Sequence, residues 1–590
     1  MSGLKIKEWI IIFFISTLPL IRVAVTNGHE EGMIICCCIF LLAIYGHFLF
    51  IKKKEMILKI SKFDVAIWLL VIYVIIRNSL SIDCFDIYTM IRSLCCLSVF
   101  YFAKQCNKTI VDAVEIGLIL SGSIQAIICL LQTFHIVESN HAILLTTGSF
   151  DNPAYCGMYM ALVFPFVVIR MINLKEYPAI IQYLLLMSFT VILATLIISE
   201  SRTSWICTTI ILVSIFYADN KNIVLSIFKN HKFLISISSA LFFLSIIGLL
   251  YYIKPVSANS RLYIWYITLR CFLENPIVGV GRSYSYFYMN NQAEYLMTNQ
   301  DSPFYLMADN IHHCYNELLQ VLIQYGLIGL ILVVFIIIWI FKIKSQNKVI
   351  KASFNGILIA SMFTYTTTTF LFLLLISFYI GVLSKGENQR MVYTCSDKND
   401  KRYLRQILFL IKNIYFLGFI YIFVFNVFAL YYWAKGTEAY NFKCFEEAED
   451  CFKKSEFILR SNGSFLNLRA KNMTKLGECE LSNKIMERAI LIRYSTFSEI
   501  MIGDNYNELG ENDNSEKAYY KAYAMVPSKM YPLYLIAVQQ YKNKEYERFK
   551  ITATKIMNMP IKAESTANIQ MKAEISHYFD HMVSSNDDRR

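Results

Sequence analysis

Apolar runs of roughly 17 to 25 residues recur along this chain, each long enough to cross the roughly 30 Å hydrocarbon core of a bilayer as one helix. Hydrocarbon offers no hydrogen-bond partner, so a spanning segment must satisfy its own backbone, and a helix does so. The sequence therefore predicts an all-α, polytopic helical membrane protein. Spans are expected near 9–25, 33–51, 64–80, 87–104, 110–134, 154–173, 178–199, 203–218, 232–253 and 317–342. A helical pair near 352–384 and a span near 408–433 follow. Charged residues make up 17% of the chain, against about 25% in soluble domains, which agrees. Arg22 interrupts the first run and no small-x-small cleavage site stands out, so that run reads as a membrane helix and not a signal peptide.

Basic residues gather in the loops Lys52–Lys62, Arg170–Lys175, Lys221–Lys232 and Lys342–Lys351, and are scarce in the intervening ones, such as His29-Glu30-Glu31. The positive-inside bias makes the basic set cytoplasmic. Lys385–Arg405 is also basic and is expected on the same side, which needs an even number of crossings after Lys351. Residues 353–384 suit two short helices broken near Tyr365–Thr369. That choice gives about twelve to thirteen spans and puts the C-terminal region outside the cytoplasm. The net charge of +12 is mostly this bias and not a nucleic-acid footprint, so no nucleic-acid partner is expected. Most of the sixteen cysteines lie in spans, as small apolar fillers, and none has metal-ligand spacing. Cys444 and Cys451 are too far apart on one helix to pair, which leaves Cys479 as a candidate partner for one of them.

The expected membrane domain is 1–434, with a long extracytoplasmic loop at 254–316. Beyond Trp433 the text turns amphipathic and rich in Glu, Lys, Ala and Tyr. Ile502-Gly503, Tyr506, Gly510, Tyr519, Ala522 and Pro527 fit a 34-residue tetratricopeptide pattern, in which small residues let paired helices approach and proline ends the second helix. Phe445, Ala448 and Phe452 fit an earlier copy; the copy between is degenerate. Residues 435–580 are therefore expected to form a tetratricopeptide-like helical repeat domain, the alternative being a non-repetitive bundle. Residues 581–590 read as a disordered tail.

Polarity is concentrated where a span begins, in Asp309–Gly329, DNIHHCYNELLQVLIQYGLIG. Ionisable groups at a membrane entrance are costly and are functional candidates. His312 or His313 could serve as a general base, the ordinary imidazole pKa being near 6.5. A helix begun by Asp309 would place His312 and Asn316 on one face. Arg202, in Ser199-Glu-Ser-Arg-Thr-Ser-Trp205, is held at the outer surface by a short connection. It is either a snorkelling anchor beside Trp205 or a fixed guanidinium for phosphate. Arg261 opens an amphipathic helix in the long loop, and Arg270 and Arg282 lie nearby. Grouped guanidiniums can bind a pyrophosphate and stabilise it as a leaving group.

In this order, TGSFDNPAYCGMYMALVFPF from Thr147, SESRTSWI from Ser199, SRLYIWYITLRCFLENPIVGVG from Ser260 and the helix after Asn316 with Gly326-x-x-Gly329 resemble the O-antigen ligase superfamily. That superfamily includes lipopolysaccharide O-antigen ligases, glycan polymerases and bacterial O-linked oligosaccharyltransferases. The resemblance is close over roughly 148–330 and loose over 1–384. It implies a multi-pass glycosyltransferase of the bacterial inner membrane, with no metal or other cofactor, whose C-terminal domain is periplasmic. The donor would be an undecaprenyl-pyrophosphate-linked glycan, and the acceptor a lipid, glycan or protein hydroxyl. Arg202 and Arg261 match the arginines that engage the pyrophosphate. The family's catalytic histidine directly precedes the asparagine; here Tyr315 stands in its place. Phenol, with an ordinary pKa near 10, is a poor base at neutral pH. His313 or His312 would then take the acceptor's proton and Asn316 would orient the acceptor, with Tyr315 and Arg282 as accessory residues. The repeat domain would recruit acceptor or a protein partner. A lipid-linked glycan polymerase is the second reading; a flippase or a non-catalytic assembly scaffold are further ones.

Overall fold

The computed structural model describes residues 6–20, 59–141, 144–150, 152–222, 248, 251–252, 255–299, 302–343, 347–386, 390–391, 398–560 and 565–587. The span expected near 33–51, and that near 232–253 apart from residues 248 and 251–252, fall outside these. Among the described residues the regular structure is helical apart from one two-residue antiparallel ladder, Lys59–Ile60 with Arg390–Met391.

In the membrane region the helices are α1 (Ile6–Thr17), α2 (Lys62–Ser81), α3 (Ile87–Gln105), α4 (Lys108–Thr133), α5 (Pro153–Ile172), α6 (Ala179–Ile198) and α7 (Arg202–Asp219). The long loop folds as α8 (Pro255–Glu274) and α9 (Tyr284–Thr298). Then come α10 (Glu317–Lys342), α11 (Lys348–Ala360), α12 (Phe370–Leu383) and α13 (Lys398–Asn441). By length and composition, α2 to α6 and α10 can each cross a membrane. This is an all-α polytopic membrane protein.

Helices α2 and α10 run antiparallel. Phe63 packs on Trp339 with ring centroids 5.7 Å apart, and Tyr73 on Tyr325 at 6.4 Å. The Ser81 and Glu317 ends therefore share one face, and the Lys62 and Lys342 ends the other. Helices α11 and α12 have 13 and 14 residues, about 20 Å each at 1.5 Å per residue, shorter than the hydrocarbon core. Their turn, with Thr366–Thr368 in a 3-10 helix, stays within the bundle beside Glu317. Lys348 pairs with Asp219 at 2.5 Å, and Lys385 donates to the Cys106 carbonyl at 2.5 Å. Both ends of the pair thus return to the basic face, as a hairpin requires.

A turn from the outer loop repairs a break in α10. Gly326 has φ 62° and ψ −165°, which interrupts the helical hydrogen-bond ladder. Residues 276–280 fill the gap: Leu327 N–H donates to the Pro276 carbonyl at 3.0 Å, Ile328 N–H to Ile277 at 3.3 Å, and Val280 N–H to Ile323 at 2.8 Å. Only glycine fits there, because an added Cβ would lie 2.1 Å from the Ile277 carbonyl oxygen. Arg77 and Tyr73 clamp the same turn through the Val278 carbonyl, at 3.1 Å each.

Helix α13 has 44 residues, so it extends roughly 66 Å and passes unbroken through position 434. It leaves the bundle and becomes the first helix of the C-terminal stack, where Trp433 meets Phe465 with ring centroids at 6.0 Å. The stack continues as α14 (Phe445–Leu459), α15 (Gly463–Lys475), α16 (Cys479–Ile492), α17 (Thr496–Glu508), α18 (Asn512–Met525), α19 (Tyr531–Lys542), α20 (Tyr546–Met557) and α21 (Thr566–Asp587). Its second helices begin at Phe445, Cys479, Asn512 and Tyr546, close to a 34-residue period. Each is preceded by a residue of positive φ: Lys443, Gly477, Gly510 and Lys544. The copy that looks degenerate in sequence keeps this geometry. Residues expected in the tail are helical to Asp587. Cys444, Cys451 and Cys479 are free thiols, so the pairing considered for Cys479 does not form.

The outer loop and the first half of the stack share one hydrophobic core, with Tyr263, Tyr284, Tyr288 and Cys314 packed together with Phe452, Phe465, Met486 and Met525. Gln292 Nε2 donates to the Met525 carbonyl at 2.7 Å, and Tyr305 Oη to Pro527 at 2.7 Å.

Candidate active site

Two of the sequence motifs meet at the end of the bundle opposite the basic face. Arg202 is the first residue of α7, whose N-cap is Ser201. Its Nη2 lies 3.4 Å from Ser257 Oγ in the first turn of α8. One turn further along α8, the Arg261 guanidinium sits over the Tyr315 ring, 5.8 Å from the centroid. Among the described residues Arg261 has no hydrogen-bond or ion-pair partner. Burial, and then the Arg202 charge, lower its pKa from the ordinary value. Two guanidiniums are thus brought close in a partly buried place, which is costly unless an anion joins them.

Tyr315 has φ 54°, in the left-handed region, and its ring meets Tyr365 edge-on at 4.9 Å. On Tyr365 the His313 imidazole is stacked, 5.0 Å away at 15°, and Tyr155 packs edge-on at 5.4 Å. Burial raises the Tyr315 pKa, and Arg261 only partly offsets it, so the phenol keeps its proton at neutral pH. Tyr155 and Tyr365 therefore complete an aromatic wall between Arg261 and His313.

The wall is held from below. Glu317, buried, accepts from Thr367 N–H and Thr367 Oγ1, both at 2.6 Å, and its own N–H donates to the Ser361 carbonyl at 2.8 Å. The α11–α12 turn is thereby tied to the start of α10, which fixes Tyr365. Trp265 Nε1 donates to the Cys314 carbonyl at 2.9 Å, and Gln320 Oε1 accepts the Cys314 N–H at 2.9 Å.

His312 and His313 both line a cavity of about 750 Å³ that runs from α2, α3, α10 and α12 up to the C-terminal stack. Burial, with Arg493 as the next cause, holds the His312 pKa down to about 4. Burial and His312 hold His313 down to about 3. Both imidazoles are therefore neutral at pH 7 but much weaker bases than an exposed one. His312 Nδ1 is buried without a partner among the described residues.

Helix α10 starts at Glu317, so His312 and Asn316 do not share a helical face. Asn316 is the N-cap, its Oδ1 accepting from Leu319 N–H at 3.1 Å. Arg282 donates through Nη1 to both oxygens of buried Asp86, at 2.9 and 3.0 Å, and so anchors the outer loop to α3. Arg270 pairs with Glu294 at 3.5 Å. Neither Arg202 nor Arg261 lines the cavity; the aromatic wall stands between.

Two cationic residues beside the imidazoles escaped the sequence reading. Arg92, on α3, donates to the Thr368 carbonyl at 3.1 Å. An arginine inside an apolar run is itself a signal, since intramembrane charge is expensive. Arg493, at the end of α16, reaches the cavity from the C-terminal stack, and nothing local in its sequence marks it.

Residues 185–334, from α6 through most of α10, match the family model described as O-antigen ligase. That segment is a domain of the O-antigen ligase superfamily. The matched segment covers less than half of the chain, and contains Arg202, Arg261, both histidines and Asn316. It ends before Tyr365 and the C-terminal stack. No curated protein matches the chain. This O-antigen ligase relative is thus a membrane enzyme of ligase or polymerase type, acting on lipid-linked glycan.

Proposed function

We propose that the protein transfers a glycan from undecaprenyl pyrophosphate to a hydroxyl acceptor at the outer face of the bacterial inner membrane. The observation that carries this reading is the convergence of Arg202 and Arg261, the latter without a hydrogen-bond or ion-pair partner among the described residues, beside a buried aromatic and imidazole wall. The two guanidiniums would hold the pyrophosphate oxygens and offset the charge that grows as it departs. An imidazole would take the acceptor proton. The acceptor oxygen would then attack the anomeric carbon as the bond to the pyrophosphate breaks, with inversion, leaving undecaprenyl pyrophosphate.

Of the two histidines, His312 lines both the large cavity and the cleft beside the C-terminal stack, and His313 is fixed by stacking on Tyr365. That favours His312 as base, with His313 as the positioning residue. The depressed basicity is relieved when an anionic donor binds close by, since a negative charge favours the imidazolium. Tyr315 would hold Arg261 through its ring. The α14–α20 stack, as a tetratricopeptide-like periplasmic domain, would contribute to acceptor recognition.

Deletion of the gene with mass analysis of lipid-linked and surface glycans tests the reading. Accumulated full-length lipid-linked chains support a ligase. Single unpolymerised units favour the polymerase reading, which the same site would serve with a second lipid-linked glycan as acceptor. Precursor trapped in the cytoplasmic leaflet would identify a flippase and overturn the proposal.

A further inference from the structure

A second cleft, of about 420 Å³, opens between the outer loop and the C-terminal stack. Clefts of about 300–1,000 Å³ hold small ligands. This one shares His312, Ser464 and Arg493 with the larger cavity and is otherwise separate from it. Of its lining side chains only Leu468 and Phe497 are apolar; the rest are amides, hydroxyls, an imidazole and two cations.

The cations are held in place. Arg493 Nη1 donates to Ser464 Oγ at 3.1 Å, and the Lys471 ammonium lies over the Phe497 ring, 4.5 Å from its centroid. Neither has an ion-pair partner among the described residues, and no carboxylate lines the cleft. The nearby carboxylate of Asp309 is 3.5 Å from Lys529. Asn310 is spent on Thr496, accepting its N–H at 3.0 Å. Two buried polar atoms lining it have no partner among the described residues: Asn467 Oδ1 and His312 Nδ1. Buried acceptors without donors are costly, and a ligand rich in hydroxyls would supply them. The cleft lies off the bundle and is lined by none of its helices, which disfavours a lipid.

We propose that this cleft binds the acceptor, and that the acceptor is an oligosaccharide carrying carboxylate groups. Its hydroxyls pair with Asn467 and His312, and its carboxylate with Arg493 and Lys471. His312, at the junction of the two cavities, then meets the hydroxyl that attacks. The inference rests on the transfer reaction proposed above and names its acceptor class.

The test is direct binding to the purified full-length protein in nanodiscs, without donor, by calorimetry. The probes are a glucuronate-containing tetrasaccharide, a neutral tetrasaccharide of similar size, a serine-rich peptide and inorganic phosphate. The acidic tetrasaccharide should bind at least tenfold more tightly than the neutral one. Arg493→Gln and Lys471→Gln should each weaken it several-fold, and Arg493→Glu should weaken it further. Both side chains are exposed, so these variants should melt with the parent protein. Equal binding of acidic and neutral sugars, preference for the peptide, binding of phosphate alone, or affinity unchanged in the variants would each overturn the proposal. Arg261→Lys separates the two readings. If it retains acidic-sugar binding while transfer is lost, both stand. If the sugar binds through Arg493 and Lys471 but the parent protein transfers nothing, the cleft stands and the reaction does not. If transfer proceeds while acidic-sugar binding ignores Arg493 and Lys471, the reaction stands and the cleft does not.

Discussion

Gly326→Ala should be among the most damaging single methyl additions in this protein. The φ 62°, ψ −165° conformation belongs to a region essentially restricted to glycine, and holding another residue there costs about 1–3 kcal/mol. The methyl would also lie 2.1 Å from the Ile277 carbonyl oxygen and 2.6 Å from Val278 N. Backbone cannot yield as a side-chain tip does, so the 276–280 turn must back out of the break. That forfeits the three hydrogen bonds from Val280, Leu327 and Ile328, each worth about 0.5–1.5 kcal/mol net and more when left unpaired in hydrocarbon. Together the terms reach roughly 3–7 kcal/mol, comparable with the whole stability of many proteins. The assay is the thermal midpoint of the detergent-solubilised protein, with Gly418→Ala as the control. No atom lies within 4 Å of the methyl added there, and alanine is the better helix former by about 1 kcal/mol. Gly326→Ala should melt far below the parent and Gly418→Ala at or above it. Equal midpoints for the two variants would refute the reasoning.

Arg282→Gln strands the fully buried Asp86 carboxylate, so it should cost about 3 kcal/mol or more, with part recovered in Arg282→Gln/Asp86→Asn; a double-mutant cycle on melting midpoints checks this. The His312 pKa is about 4 in the folded protein and ordinarily 6.5 when unfolded. Because it is depressed, its contribution is fully present above pH 6.5 and is lost as pH falls towards 4, by at most roughly 3 kcal/mol. His312→Gln should flatten the fall in melting temperature over that window, and parallel curves for the two proteins would contradict it. Lys544→Gly relieves a positive φ of 63° in an exposed turn and should raise the midpoint, by up to about 1 kcal/mol of stability; a lower midpoint would contradict it.

What the sequence revealed followed from strong local chemistry. Apolar runs marked the helices because hydrocarbon demands them, and the Lys385–Arg405 charge argument anticipated the α11–α12 hairpin. Gly503, picked out in the sequence as a small residue that lets paired helices approach, packs so closely that an added Cβ would meet the Tyr519 ring at 2.4 Å. Arg202 and Arg261 could be singled out by residue type, but their closeness depends on α7 and α8 meeting in space. The helix expected from Asp309 starts only at Glu317, since Asn316 turns inward as its cap. The break at Gly326 was not readable, because its partner is a turn some fifty residues earlier. Tyr365 and Arg493 lie far along the chain from the histidines, and only packing brings them together. Helix α13, which carries the apolar run expected as a span near 408–433, continues without interruption past position 434 into the stack.

The central claim is that Arg202 and Arg261 hold a departing pyrophosphate. Its most direct test is turnover by the reconstituted protein of an undecaprenyl-pyrophosphate-linked glycan, comparing the parent with Arg261→Lys. Lysine keeps the charge but not the planar fork, so one charge-assisted hydrogen bond of about 1.5–3 kcal/mol is lost, roughly tenfold or more in rate. The account predicts that loss at unchanged protein abundance and melting temperature. Unchanged turnover in Arg261→Lys, and again in Arg202→Lys, would contradict it and leave both residues as membrane-surface anchors.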